Sequence, residues 1–196
     1  HEIAGGGNGA VDGAAAASFS AGLAARTKGK ILWCITRADL FAPAIAQAGL
    51  ASDRVIYLEA GDDKTVLACM EEGLRHGGLG AVIGEVARLS MTASRRLQLA
   101  AEGTGSLGIA LRRWRRQTEA TDFGQPTAAM TRWRVCCAIA PARLDVADVV
   151  GGGQAQDVLL GDVVAGQPLE VGFLGSAPGR QFLDVLAVPL QQLGQG

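Results

Sequence analysis

The chain has 196 residues, of which 48% are apolar, and its formal net charge is −1 at pH 7. This length suits one domain with a substantial core, and the near-neutral charge argues against a basic nucleic-acid coat or an acidic tail. No apolar run approaches the roughly 20 residues of a membrane helix, and the first residues lack the basic-then-apolar order of a signal peptide. We therefore expect a cytoplasmic protein without membrane contact.

Residues suited to catalysis are scarce in this sequence. Histidine occurs at His1 and His76, and none of the four cysteines shows a zinc-ligand spacing. This scarcity removes most nucleophile–base pairs and most transition-metal sites. We expect no catalytic residues, no metal and no cofactor, and we interpret the cysteines as reduced thiols.

The chain opens with a short apolar strand, a glycine-rich loop and a helix, in that order. The loop covers residues 5–13, and an alanine-rich helix is predicted from Ala14 to about Arg26. This order presents backbone N–H groups and the positive end of a helix to a phosphate, as a P-loop does.

The loop lacks the residues that make a P-loop work. The pattern GxxxxGK[ST] needs a lysine for the β- and γ-phosphates and a hydroxyl for magnesium, whereas here Gly13 is followed by Ala14 and Ala15. Without that cation and hydroxyl, both nucleotide affinity and transfer chemistry should be lost. We predict a degenerate cradle that binds no nucleotide, formed by Gly7, Asn8, Gly9, Gly13, Ala14 and Ala15.

Two other interpretations of the loop stay open. It could be a glycine-rich turn that never bound a ligand, since glycine motifs have low specificity. A dinucleotide fingerprint fits less well, because Asp12 stands where G-x-G-x-x-G/A needs a small residue. Its charge would also repel pyrophosphate.

Strands and helices alternate along the middle of the chain. Apolar runs at 31–36, 54–58 and 79–84 predict strands, and the run at 31–36 is typical of a strand buried on both faces of a parallel sheet. Between them, apolar residues recur at helical spacing over 39–48 and 62–77. This alternation predicts an α/β fold with a mainly parallel central sheet flanked by helices.

The second half of the chain continues this pattern and then loses it. A helix is predicted from Ser90 to about residue 101, a strand over 106–111, a loop over 118–126 and a strand over 130–135. Periodicity is faint from there on. We predict a core over residues 1–135 and a C-terminal appendage over residues 136–196, either irregular β structure or disordered.

Several stretches carry a family resemblance. They are residues 1–3, 13–17, 32–34, 39–43, 71–102 with the run G-E-V-A-R-L-S-M-T, 111–114 and 131–135. On these motifs the chain resembles the ImuA family, RecA-like accessory proteins of mutagenic translesion synthesis in bacteria. The resemblance covers roughly residues 1–135 and implies a RecA-like core whose ATPase parts have decayed.

The resemblance also implies where the ATPase acids would lie. A RecA-like ATPase would carry its magnesium-side acid where this chain has Gly84, with Glu85 next to it. Its catalytic glutamate would fall in residues 36–38, where Asp39 is the nearest acid. Together with the missing lysine, three ATPase positions are altered, so we expect a pseudo-ATPase and no enzyme.

A pseudo-ATPase would act by binding, and an arginine-rich stretch is the best candidate surface. Residues 86–116 hold seven arginines and one acid, Glu102. Arginine contacts phosphates, while tryptophan stacks a base or covers a protein partner. The candidate contact residues are Arg95, Arg96, Arg112, Arg113, Trp114, Arg115, Arg116, Arg132, Trp133 and Arg134. The same residues could instead be core packing and a solvated face.

The resemblance implies partners as well. They are an ImuB-type inactive homologue of Y-family polymerases, an error-prone C-family polymerase, and RecA on single-stranded DNA. We expect a non-catalytic adaptor in SOS-induced mutagenic translesion synthesis. The alternatives are a single-stranded-DNA-binding module and a small enzyme, either a residual nucleotide-binding ATPase or a nucleotide-dependent oxidoreductase.

Overall fold

The computed structural model describes residues 1–6, 10–114, 117–138 and 184–189. The predictions for Gly7, Asn8, Gly9, Arg115 and Arg116, and those for residues 139–183 and 190–196, lie outside the described residues.

A seven-stranded sheet forms the centre of the described chain. Its strands are β1 (Glu2–Gly5), β2 (Lys30–Ile35), β3 (Val55–Glu59), β4 (Leu79–Val86), β5 (Leu107–Arg112), β6 (Arg132–Ala138) and β7 (Asp184–Pro189). They lie in the order β3-β2-β4-β5-β1-β6-β7. All pairings among β1–β6 are parallel, and β7 joins β6 antiparallel. The predicted α/β class with a mainly parallel sheet is confirmed.

Helices cover both faces of this sheet. They are α1 (Ala10–Ala25), α2 (Ala42–Gln47), α3 (Asp63–His76) and α4 (Met91–Glu102). Residues of α1 and α2 pack with Trp33 and Ile83 in one apolar cluster, and residues of α3 and α4 pack with Val82 in a second. Side chains that alternate along a strand point to opposite faces, so β2, β4 and β5 each contribute buried residues to both clusters.

The ends of α3 and α4 follow from their sequence. Asp62 accepts a hydrogen bond from the Thr65 N–H at 3.0 Å, and Ser90 accepts one from the Ala93 N–H at 3.2 Å. Both residues are N-caps, which satisfy otherwise unpaired helix donors. α3 stops at Gly77, whose φ of 70° lies in the left-handed region that glycine adopts freely. These helix ends match the predicted ones.

Two predicted boundaries were wrong. α1 begins at Ala10 rather than at Ala14, and its first turn packs closely against the end of β1. A Cβ on Gly5 would lie 2.9 Å from the backbone carbon of Asp12, so this tight approach needs glycine. β4 also continues past Gly84 to Val86, which places Glu85 inside the sheet.

The later segments refine the remaining predictions. The predicted loop over 118–126 is largely a 3-10 segment, Gln117–Gly124. Within the predicted appendage, residues 136–138 belong to β6 and residues 184–189 form β7, so both stretches are part of the central sheet. Across the described ranges, no helix is long and apolar enough to span a membrane.

Candidate functional site at the carboxyl edge of the sheet

A pocket of about 490 Å³ lies at the carboxyl ends of β1, β2 and β5. Ligands of open α/β sheets bind at this edge, outside the ends of the strands. The lining residues come from the start of α1, the segment after β2 and the end of β5; they include Gly5, Gly13, Ala14, Asp39, Phe41, Arg112, Arg113 and Trp114. This edge is therefore the candidate functional site.

The α1 side of the pocket carries no charge. Gly13 and Ala14, two residues of the predicted degenerate cradle, line it, whereas Ala15 is buried in the core. Because α1 starts at Ala10, Gly13 and Ala14 lie within the helix, beyond its first three residues. A Cβ on Gly13 would meet no atom of the described residues within 4 Å, so they leave space beside it.

Arg113 is held between two carboxylates at the pocket. Its Nη1 lies 2.8 Å from Asp39 Oδ1 and 2.8 Å from Glu85 Oε2, and its Nη2 lies 3.1 Å from Asp39 Oδ2. Glu85 Oε1 accepts a further hydrogen bond from Trp33 Nε1 at 3.2 Å. We call Asp39, Glu85 and Arg113 the Arg113 triad. The guanidinium charge is thus compensated within the chain.

The two acids of the Arg113 triad have opposite pKa shifts. Burial raises the pKa of Glu85, although its hydrogen bonds from Arg113 and Trp33 act in the other direction. Asp39 is half-exposed, and the hydrogen bond from Arg113 lowers its pKa. The outer carboxylate therefore stays ionised to lower pH than the inner one.

Gly84 and Glu85 face opposite sides of the sheet. A Cβ on Gly84 would lie 2.1 Å from Met70 Sδ of α3, so close packing requires glycine there. Glu85 lies on the other face, where it contacts Trp33 and Arg113. The acid that reaches the pocket side is therefore Glu85.

Arg112 lies in the interior rather than on a surface. It is 1% exposed, and its Nη1 lies 2.7 Å from Glu2 Oε1 while its Nη2 lies 2.5 Å from Asp122 Oδ2. Glu2 also accepts a hydrogen bond from Arg132 Nε at 2.7 Å. We call these four residues the Glu2 network, and it ties β1 to β5 and β6.

Three arginines surround the ring of Phe123. The guanidinium carbons of Arg112, Arg132 and Arg134 lie 5.8, 4.7 and 5.3 Å from its ring centroid, within the range of cation–π contact. The Trp114 ring contacts the Phe123 ring edge-on, with the ring centroids 5.8 Å apart. These candidate contact residues therefore pack on Phe123 and do not form an outward-facing basic strip.

The other candidate contact residues divide between surface and interior. Arg95 and Arg96 are exposed on α4, as predicted. Arg95 donates to Gln98 Oε1 at 2.7 Å, and Arg96 lies 2.6 Å from the buried Glu71. Trp133 packs on Phe19 with ring centroids 5.7 Å apart.

Residues 86–116 contain one acid in sequence, but in the folded chain acids from outside this stretch pair with its arginines. Glu71, Glu2, Asp122, Asp39 and Glu85 compensate Arg96, Arg112 and Arg113. All five of these acids lie outside residues 86–116, although Glu85 immediately precedes that stretch.

The sequence was compared with known proteins. No protein-family model matches the chain. Protein ImuA from two strains of Caulobacter vibrioides, NA1000 / CB15N and ATCC 19089 / CIP 103742 / CB 15, is 37% identical over 144 residues, which is 69% of this chain. The chain spans 58% of the length of these curated relatives. A crystal structure of SulA from Pseudomonas aeruginosa aligns with 57% of this chain and 95% of its own, at 22% identity and a TM-score of 0.48.

Proposed function

Because the chain belongs to the ImuA family, we propose that it is a non-catalytic adaptor in DNA-damage-induced mutagenic translesion synthesis. In this proposal it docks an ImuB-type inactive polymerase homologue and an error-prone C-family polymerase in the cytoplasm. RecA on single-stranded DNA is a further partner. The proposal combines the family with the chemistry of the pocket.

The Arg113 triad is the observation that best supports the proposed lack of catalytic activity. A triphosphate site must offer uncompensated cations to several negative charges. The cation at this pocket is paired with Asp39 and Glu85, and Arg112 beside it is paired with Glu2 and Asp122. A triphosphate would have to displace these carboxylates and would meet their repulsion.

The pocket retains features that suit a protein partner. Phe41 at its lining is 68% exposed, and Leu40 and Trp114 also line it. Large exposed apolar residues beside arginine are typical of interface hot spots. A core that does not turn over can keep such a surface in one state.

Thermal unfolding with Mg-ATP tests the loss of nucleotide binding. We expect an unchanged midpoint at millimolar Mg-ATP, whereas a ligand at 100 times its Kd would add about 2.7 kcal/mol to the free energy of unfolding. Equal magnesium chloride without ATP is the control. A magnesium-dependent rise in the midpoint, or hydrolysis of ATP, would contradict the proposal.

Residual nucleotide binding is a second candidate, favoured by one observation. Arg112 Nε and Trp114 Nε1 are buried and have no hydrogen-bond partner among the described residues, and both residues line the pocket. Buried donors normally have a hydrogen-bond acceptor, and a phosphate oxygen of a bound nucleotide could be that acceptor. If this candidate is correct, ADP or pyrophosphate without magnesium should raise the unfolding midpoint.

Capture of the partner tests the adaptor role directly. The full chain, immobilised, should retain an ImuB-type protein at micromolar concentration. Phe41→Ser should weaken this capture, while Met130→Ser, which changes a residue 76% exposed elsewhere on the surface, should not. Absence of any capture at that concentration counts against the adaptor.

A further inference from the structure

β3 forms an open, apolar edge of the sheet. It is the terminal strand and pairs with β2; in the described ranges no other strand contacts this edge. Three consecutive residues of β3 are large, apolar and well exposed, namely Ile56 at 48%, Tyr57 at 39% and Leu58 at 36%. Edge strands are usually protected by proline, lysine or a bulge, and Val55–Glu59 contains no proline or lysine.

The hydrogen bonds of β3 show which backbone groups point outward. The Ala60 N–H donates to the Ile35 carbonyl of β2 at 2.9 Å. In a parallel pair, alternate residues direct both backbone groups to the same neighbour, so Ile56 and Leu58 also face β2. The N–H and C=O groups of Val55, Tyr57 and Glu59 therefore point away from the sheet.

We propose that a second copy of this chain pairs antiparallel with this edge, about a two-fold axis at Tyr57. The outward residues are spaced symmetrically around Tyr57, so Tyr57 faces its own copy and Val55 faces Glu59. In this register every outward N–H on each copy meets a carbonyl of the other. A shift by two residues in either direction leaves one outward residue on each copy unpaired, which singles out this register.

The side chains of β3 fit the same register. Ile56 lies opposite Leu58 of the second copy on the α3 side of the sheet, an apolar pair that stabilises antiparallel strands. On the other side, Tyr57 already contacts Trp33 with ring centroids 6.4 Å apart, and the second Tyr57 extends this aromatic contact. Glu59 lies opposite Val55, so no like charges within β3 face each other.

This self-association is independent of the adaptor role, because β3 does not line the pocket. A two-fold contact uses the same surface on both copies and closes on itself. The sheets of both copies then join into one.

Sedimentation equilibrium of the full chain tests the pairing. We expect a monomer–dimer equilibrium, and Ile56→Lys should weaken it at least tenfold, because the lysine charges would be buried beside the second copy. Leu99→Lys, at an apolar residue 53% exposed on α4, is the matched control and should leave the dimer intact. A native chain that stays monomeric at 100 micromolar would overturn the proposal.

Oxidative cross-linking tests the register without relying on a destabilising change. Hydrogen-bonded antiparallel partners have Cα atoms about 5.5 Å apart, within the range that a disulfide can bridge. Tyr57→Cys should therefore form a disulfide-linked dimer faster than Ile56→Cys or Leu58→Cys. In the proposed register a cysteine at position 57 faces the same cysteine of the second copy, whereas position 56 faces the unchanged position 58 and the reverse. The native chain under the same oxidant gives the baseline of its own cysteines. Equal rates for the three variants would overturn the two-fold axis at Tyr57.

Discussion

Arg113 shows how one side chain can decide the chemistry of a pocket. It joins a buried carboxylate, Glu85, to a half-exposed one, Asp39. A guanidinium with two acidic partners has little charge left for a ligand, and its forked donors fit the Asp39 carboxylate in a bidentate manner. The loss of nucleotide chemistry that we propose thus rests on a cation that is present but compensated.

Glu85 should make stability depend on pH in a defined direction. Its pKa is raised by burial, so between about 4.3 and the raised value the folded chain keeps a proton that the unfolded chain has lost. Stability must then fall as pH increases through this window. Glu85→Gln should remove that fall, which urea unfolding of both proteins at several pH values would measure.

Asp39 provides the control of opposite sign. Its pKa is lowered by the hydrogen bond from Arg113, so its contribution is present above about 3.9 and is lost as pH falls through the lowered value. Asp39→Asn should flatten the acid side of the profile. An unaltered pH profile in Glu85→Gln would show that its carboxyl titrates normally.

At the scale of elements, close packing explains glycines that a sequence pattern interprets as loop or site residues. Gly84 was interpreted through the position of an ATPase acid, yet its hydrogen faces Met70 of α3. Gly13 was placed in a loop, yet it lies inside α1, next to open space. Glycine is thus required by close packing at position 84 but not at position 13, and only the three-dimensional packing distinguishes the two cases.

A pair of glycine-to-alanine changes tests this distinction. Gly84→Ala should lower the free energy of unfolding by about 1–3 kcal/mol, because the added methyl overlaps Met70. Gly13→Ala should instead raise it by about 0.5–1 kcal/mol, because alanine favours the helix. Chemical denaturation measures both. In a Met70→Ala background the cost of Gly84→Ala should shrink; an unchanged cost would exclude overlap with Met70 as its cause.

The elements themselves were largely predictable, and their surroundings were not. Apolar runs located β2, β3 and β4, and apolar residues at helical spacing located α3 and α4, because these signals are local. The run in β3 resembles that of a buried strand, yet β3 is an exposed edge. A run of apolar residues indicates a strand but not its place in the sheet. β3 is at the edge because, among the described strands, it pairs with β2 alone.

At the scale of the molecule, ion pairs between residues far apart in sequence explain why the predicted basic surface is not found among the described residues. Arg112 is compensated by Glu2, 110 residues earlier in the chain, and Arg113 by Asp39, 74 residues earlier. A count of charges along the sequence cannot reveal such partners. The Glu2 network instead joins the first strand to β5 and β6, so it connects the beginning of the chain to its centre.

This connection predicts how much of the chain is needed for folding. Among the described residues, one apolar cluster reaches Val135 and the other reaches Ala110, and β7 joins the sheet through β6. A chain that stops after Ala138 should therefore still unfold cooperatively, since it keeps every described residue of both apolar clusters and the whole Glu2 network. Near-ultraviolet circular dichroism in urea would follow Trp33, Trp114 and Trp133, which the shortened chain retains.

A chain that stops after Thr131 is the matched control. It lacks β6, and with it Arg132, which pairs with Glu2, and Val135, which is fully buried. Glu2 would then keep Arg112 but lose its second cation, and β1 would become an open edge. We expect this shorter chain to lose its near-ultraviolet signal. If both truncated chains unfold alike, β6 is not the element that completes the core.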